Sequence, residues 1–188
     1  MAIGTVAQDL TTDPMSAHRS TATRAYYSAS VADFLSSSPE EVVGRLTRES
    51  AFEVTPEQRD AWFEEISLLR EALAAYSRGL LFFEFVVPRF GRRIDVVLLL
   101  DDLVFVMEFK VGEDEFTRSA REQVWDYALD LKNFHETSHQ ASILPVLIAT
   151  RAHTDGYVSQ LRLYKDGVYF PQAIGSRQLA LFLQDALA

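Results

Sequence analysis

The chain has 188 residues, a net charge of −9 and a 48% share of hydrophobic residues, enough apolar material for one packed domain. It contains no cysteine, which excludes a disulfide framework, a thiol nucleophile and a Cys-ligated zinc site. The acidic total counts against nucleic-acid binding, because phosphate contacts need Lys and Arg, although carboxylates gathered around a metal inflate the negative count without making a repulsive face.

The first 24 residues are polar and rich in small side chains, without the charged start and apolar core of a signal peptide. They predict a mobile tail, followed by a single domain over 25–188. No apolar run approaches the roughly 20 residues of a membrane span, so the expectation is a cytoplasmic protein with no membrane partner. Two short helices are expected next. The second opens at Ser38-Pro39-Glu40-Glu41, with Ser38 as N-cap, Pro39 at N1 and Glu41 at N3. Thr55-Pro56-Glu57-Gln58 repeats that signature and predicts a long helix near 56–77, its buried stripe formed by Trp62, Ile66, Leu69, Leu73 and Tyr76. Gly79 is the expected stop.

Three strands follow: LLFFEFVVP over 80–88, RRIDVVLLL over 92–100 and LVFVMEFKV over 103–111. Both faces of all three are apolar, which predicts a sheet covered on both sides. The loop GEDEFT leads to a helix near 118–135, and SILPVLIAT (142–150) reads as a buried fourth strand joined by a parallel crossover. Beyond it, LRLYKDGVYF predicts a hairpin turning at Asp166-Gly167, and SRQLALFLQDALA a final helix with Ser176 as a cap. The predicted class is therefore α/β: a mixed four-stranded sheet flanked by helices, with N-terminal helices and a C-terminal hairpin and helix.

Strand register carries the chemistry. If Asp101-Asp102 closes the second hairpin, paired residue numbers sum to 203, so Asp95 faces Glu108 and Arg93 faces Lys110. If Pro88–Gly91 closes the first, the sum is 179 and Glu84 faces Asp95. Three carboxylates then lie across neighbouring strands, with directly paired Cβ atoms about 4.5–5.5 Å apart. Two full charges at about 5 Å repel by roughly 3 kcal/mol at an effective dielectric near 20. Either a carboxyl takes up a proton or a cation sits between them, and hard oxygen ligands at this spacing suit Mg²⁺ or Mn²⁺. Lys110, two residues from Glu108, shares its face and is placed to orient or deprotonate an attacking water or to stabilise phosphate charge. The plainer reading is that Arg93 and Lys110 simply neutralise Asp95 and Glu108 in an inert sheet.

At these residues the chain resembles the PD-(D/E)XK nuclease superfamily: Asp95, then 12 residues, then Glu108-Phe109-Lys110 across a hairpin. The order helix, three strands, helix, strand is similar to that superfamily's αβββαβ core. Ile94 stands where the motif's name has proline. The resemblance implies that Asp95 and Glu108 bind Mg²⁺ (or Mn²⁺) with the Phe109 carbonyl and that Lys110 serves the attacking water; Glu84, facing Asp95 from an otherwise apolar strand, is a further candidate ligand from its register alone. Gln123 and Tyr127, four apart on the following helix, look like the Q-x-x-x-Y motif of the RecB-like branch, implying a role in catalysis and in holding the substrate beside Arg93. Their plainer reading is a polar helix face with Tyr127 packed on the sheet. Over roughly 25–175 the stretch from FEFVVPRFGRRIDVVLLL through FKVGEDEF and DYALDLKNFH to LPVLIAT is similar to the nuclease-like N-terminal region of bacterial Schlafen-like DNA/RNA helicases. No G-x-x-x-x-G-K-[ST] loop occurs in the sequence, so a helicase domain or protein enters only as an expected partner.

The expected activity is metal-dependent hydrolysis of a nucleic-acid backbone, DNA favoured over RNA. The alternative is a catalytically silent module of the same fold that binds nucleic acid or a partner protein. Among the remaining residues, Glu65 is expected on the solvated flank of the long helix, and Glu113-Asp114-Glu115 reads as a solvated loop. His135, His139 and His153 lack ligand spacing. Arg89, Arg92, Lys132 and Arg151 are candidates to ring the site, against a default of scattered surface charge.

Overall fold

The computed structural model describes residues 24–87, 91–135, 138–153 and 161–188. The expected tail over 1–24, save Arg24, and the candidate Arg89 lie outside them. The chain begins with strand β1 (Ala25–Ser30), then helices α1 (Val31–Ser36), α2 (Pro39–Glu49) and α3 (Pro56–Leu73). Strands β2 (Leu80–Val86), β3 (Arg93–Leu100) and β4 (Leu103–Lys110) follow, then α4 (Arg118–Phe134) and β5 (Ser142–Ala149). The C-terminal part adds β6 (Gln172–Gly175), a 3-10 turn over Ser176–Gln178 and α5 (Leu179–Ala186).

Local chemistry sets several boundaries as expected. Ser38 and Glu41 form a complete capping box with Pro39 in the first turn, and Thr55 and Thr117 cap α3 and α4 by accepting from the N–H groups of Gln58 and Ala120. The long helix stops at Leu73, so Tyr76 lies beyond it. Gly79 ends no helix. Its backbone has φ +121°, and its carbonyl accepts from Val31 N–H where β1 gives way to α1. The turn at Asp166-Gly167 forms, with Tyr164 N–H donating to Val168 O.

The mixed sheet has six strands in the order β1-β2-β3-β4-β5-β6, antiparallel through β4 and parallel from β4 to β6. The four-stranded expectation is therefore corrected at both edges. AYYSAS makes β1, a strand ahead of the two expected short helices. QAIG makes β6, a strand too short to show alternation. Helices α1, α2, α3 and α5 cover one face, with Phe34, Leu46, Ile66, Leu69 and Phe182 fully buried. Helix α4 covers the other, packing Val124, Ala128 and Leu131 on Ile94, Val97 and Val106. No helix among the described residues is long and apolar enough to cross a membrane.

The registers are those the turns imply: each β2–β3 rung sums to 179 and each β3–β4 rung to 203. One line of rungs is missing. The β1–β2 ladder skips Tyr26 opposite Glu84, and the β2–β3 ladder skips Glu84 opposite Asp95. At that line the side chains lose their alternation. Phe83 and Phe85 are two apart yet belong to opposite faces, as do Ile94 and Val96, and Ala25 and Tyr27. Glu84 has φ +52°, left-handed for a non-glycine residue, a conformation costing roughly 1–2 kcal/mol. Because all three strands break together, the register is unchanged on either side.

Gly79→Ala is expected to destabilise the fold by about 1–3 kcal/mol, since an added Cβ would lie 2.7 Å from the Leu99 carbonyl oxygen. Urea denaturation read by circular dichroism checks this.

Candidate active site

The fault across β1, β2 and β3 places Asp95 where β3 and β4 stop pairing. The last rung on that side is Val96↔Met107. Beyond it the Phe109 N–H donates to the Asp95 carboxylate at 2.8 Å. A side chain thus takes the acceptor role that the ladder leaves open, satisfying a buried backbone donor and fixing the carboxyl beside Glu108.

Glu108 is 4% exposed. Its Oε1 accepts from Lys110 Nζ at 2.7 Å and from Gln123 Nε2 at 2.8 Å. Lys110 Nζ also donates to Gln123 Oε1 at 3.2 Å, and Gln123 Nε2 reaches the Tyr127 hydroxyl at 3.0 Å. Glu108, Lys110, Gln123 and Tyr127 therefore form one connected network between β4 and α4. The i,i+4 spacing of Gln123 and Tyr127 turns both toward it. The second oxygen, Oε2, is buried with no hydrogen-bond partner, an expensive state for a carboxylate.

Electrostatics follow from this enclosure. Burial, with the Glu108 charge next, pushes the Asp95 carboxyl well above the ordinary aspartate range, and the Phe109 N–H offsets only part of the rise. Glu108 is also raised by burial, against the opposing pull of Lys110 and of a hydrogen bond shared with Asp95. A proton taken up by one carboxyl, or a cation between the two, would relieve the repulsion. Burial works against the Lys110 ammonium, but Glu108, with Asp95 behind it, outweighs that and holds its pKa above the usual lysine value. Lys110 is therefore a cation and a donor here.

Three expectations are corrected. Glu84 is not aimed at a metal: Oε1 accepts from Trp62 Nε1 at 2.9 Å and Oε2 from Arg93 Nε at 2.7 Å. Arg93 accordingly neutralises Glu84 and not Asp95, and sits with Tyr26, to whose hydroxyl it donates at 3.2 Å. Glu65 is 6% exposed and not on a solvated flank. Burial first, then the charge of Asp95, pushes its carboxyl well above the ordinary range. The signal was in the spacing: Trp62, Glu65, Ile66 and Leu69 follow the i, i+3, i+4, i+7 pattern of a buried stripe.

Of the basic residues considered for a ring, Lys132 is elsewhere, donating to the Ala141 carbonyl. Arg92 is close enough to Tyr127 for its charge to lower that hydroxyl's pKa, though burial dominates and raises it. Arg151 follows the end of β5, its N–H donating to Glu113 O, next to Thr150, whose N–H donates to Lys110 O. His135 is buried against Ser138, and His139 contacts the Asn133 carbonyl.

Among the described residues no three acids or histidines are grouped as a ligand set. The oxygen donors at the centre are two carboxylates, Asp95 and Glu108, with the Phe109 carbonyl in sequence beside them. That set, with one buried oxygen lacking a partner, fits Mg²⁺ or Mn²⁺, which take one or two carboxylates and complete their shell with water. No family model matches the chain, and no curated protein or solved structure matches it.

A carboxyl whose pKa rises on folding contributes stability that is full below its unfolded value and is lost as pH climbs through the folded one. Asp95→Asn keeps the shape and an oxygen for the Phe109 N–H while removing the ionisation. In EDTA the variant should therefore outmatch wild type by about 1–2 kcal/mol near neutral pH. That gap should close toward about pH 4, where both forms carry no charge at this position. Denaturation curves across this range test both the sign and the trend.

Proposed function

We propose that this protein is a divalent-metal-dependent nuclease that hydrolyses phosphodiester bonds, DNA favoured over RNA, with a PD-(D/E)XK-type site. The observation carrying the reading is the meeting of the Asp95 and Glu108 carboxyls beside the Lys110 cation, with one buried carboxylate oxygen left without a partner. The connected Gln123–Tyr127 pair adds support, as does the element order from α3 through β2, β3, β4 and α4 to β5.

Bound Mg²⁺ or Mn²⁺ supplies Lewis-acid stabilisation of a phosphoryl oxygen and of the attacking water. Asp95 and Glu108 would hold it with the Phe109 carbonyl, and because both carboxyls are raised and must be ionised to do so, affinity should rise with pH. Lys110, kept protonated by Glu108, offers N–H donors to the charge developing on the phosphoryl oxygens. Gln123 fixes both Glu108 Oε1 and Lys110 Nζ, and Tyr127 fixes Gln123, so these two tune the geometry of the charged groups.

Asp95→Ala, Glu108→Ala and Lys110→Ala are each expected to lower cleavage of labelled DNA by at least about 100-fold while the fold survives. Gln123→Ala should reduce cleavage more than it reduces stability. Activity should need Mg²⁺ or Mn²⁺ and fail in Ca²⁺, whose looser shell holds the reacting groups less tightly. Millimolar Mg²⁺ should raise the melting temperature of wild type and barely move Asp95→Asn. Undiminished cleavage by purified Asp95→Ala would refute the assignment. Binding of nucleic acid without cleavage in any of these metals would favour a silent module instead.

A further inference from the structure

At the Glu84 end of the fault lies a cleft of about 140 Å³ whose lining includes Tyr26, Phe52, Thr55, Gln58, Trp62 and Arg93. It adjoins the site through Arg93, two residues before Asp95 and bound to Glu84, and through Trp62, bound to that same Glu84. The Arg93 guanidinium lies 5.3 Å from the Tyr26 ring centre and 5.9 Å from that of Phe52. Phe52 is 72% exposed, so one face of its ring is open. Its position is nonetheless fixed. Ser50 Oγ donates to the Phe52 carbonyl and accepts from its N–H, and Ala51 N–H reaches the Tyr26 hydroxyl.

We propose that this cleft takes one unpaired nucleobase of the substrate strand, stacked on the exposed Phe52 ring, with its neighbouring phosphate directed toward Asp95 and Glu108. The proposal rests on the nuclease reading and narrows its substrate to single-stranded segments. The chemistry selects a flat, neutral π-system. Arg93's charge is already balanced by Glu84, and Glu53 also lines the cleft, so an anion gains little there. The volume admits one ring system and no helix. Aromatic and guanidinium planes are the surfaces on which splayed bases stack, and Gln58 and Thr55 supply polar groups for a base edge. A base inside a duplex has both faces covered by its neighbours and offers none to Phe52.

The test is fluorescence anisotropy of a labelled 12-nucleotide oligothymidylate, alone and annealed to its complement. It is run in Ca²⁺ with wild type, Phe52→Ala and Phe52→Trp, each checked for an unchanged melting temperature. Expected are preferential binding of the single strand, a loss of about 5- to 150-fold in Phe52→Ala, the range of one base–aromatic stack, and near wild-type affinity in Phe52→Trp. Equal affinity of Phe52→Ala and wild type, equal binding of the duplex, or no binding by wild type would each overturn the cleft assignment. Cleavage in Mg²⁺ is scored separately. A wild type that cuts DNA while Phe52→Ala binds and cuts unchanged leaves the nuclease reading standing without the cleft. Phe52-dependent binding with no cleavage removes the nuclease reading and leaves the cleft.

Discussion

The site depends on a backbone constraint: three neighbouring strands give up their alternation along one line. Tyr26, Glu84 and Asp95 occupy that line, and the left-handed backbone of Glu84 marks it. A regular sheet would alternate faces without interruption, and the β3–β4 ladder would continue past Val96. The break instead frees the Phe109 N–H to be met by the Asp95 carboxylate. Strain of this size persists only where surrounding contacts over-determine it. Here the buried bond from Trp62 and the half-buried one from Arg93 to Glu84 do so, and bonds to a charged acceptor are the stronger kind.

Burial and like charge raise the carboxyls of Glu65, Asp95 and Glu108 together, which costs stability near neutral pH. Lys110 offsets part of it, and Gln123 holds Lys110 and Glu108 in place. Of the acidic pair Lys110 neutralises Glu108, while Arg93 is taken up by Glu84. The remaining repulsion between Asp95 and Glu108 favours a proton or a cation between them.

Turn chemistry made the hairpin registers legible, since the sums of 203 and 179 expected from the sequence are those the ladders follow. Helix caps at Ser38 and Thr55 were legible for the same local reason. The edge strands were not. β1 is built mainly from small residues, and β6 is four residues long and paired in parallel, so no tight turn announces it. The fault was illegible because its cause is tertiary: a left-handed glutamate is stabilised by a tryptophan 22 positions away. Glu65 was misread because a carboxylate in a helical stripe is ordinarily solvated, and only the packing of α3 against the faulted strands encloses it.

The sheet order follows the chain order without exception, and this shapes how the molecule assembles. Pairing β2 to β3 and β3 to β4 closes only short turns, so the loop-closure entropy for the central meander is small. These hairpins can form on the microsecond scale. That meander already holds Asp95, Glu108 and Lys110. The parallel partners β5 and β6 require crossovers and close over longer segments, which slows them. Gln123 and Tyr127 come with the first of those crossovers. The acidic pair is thus brought together early, and the helix that steadies it docks later.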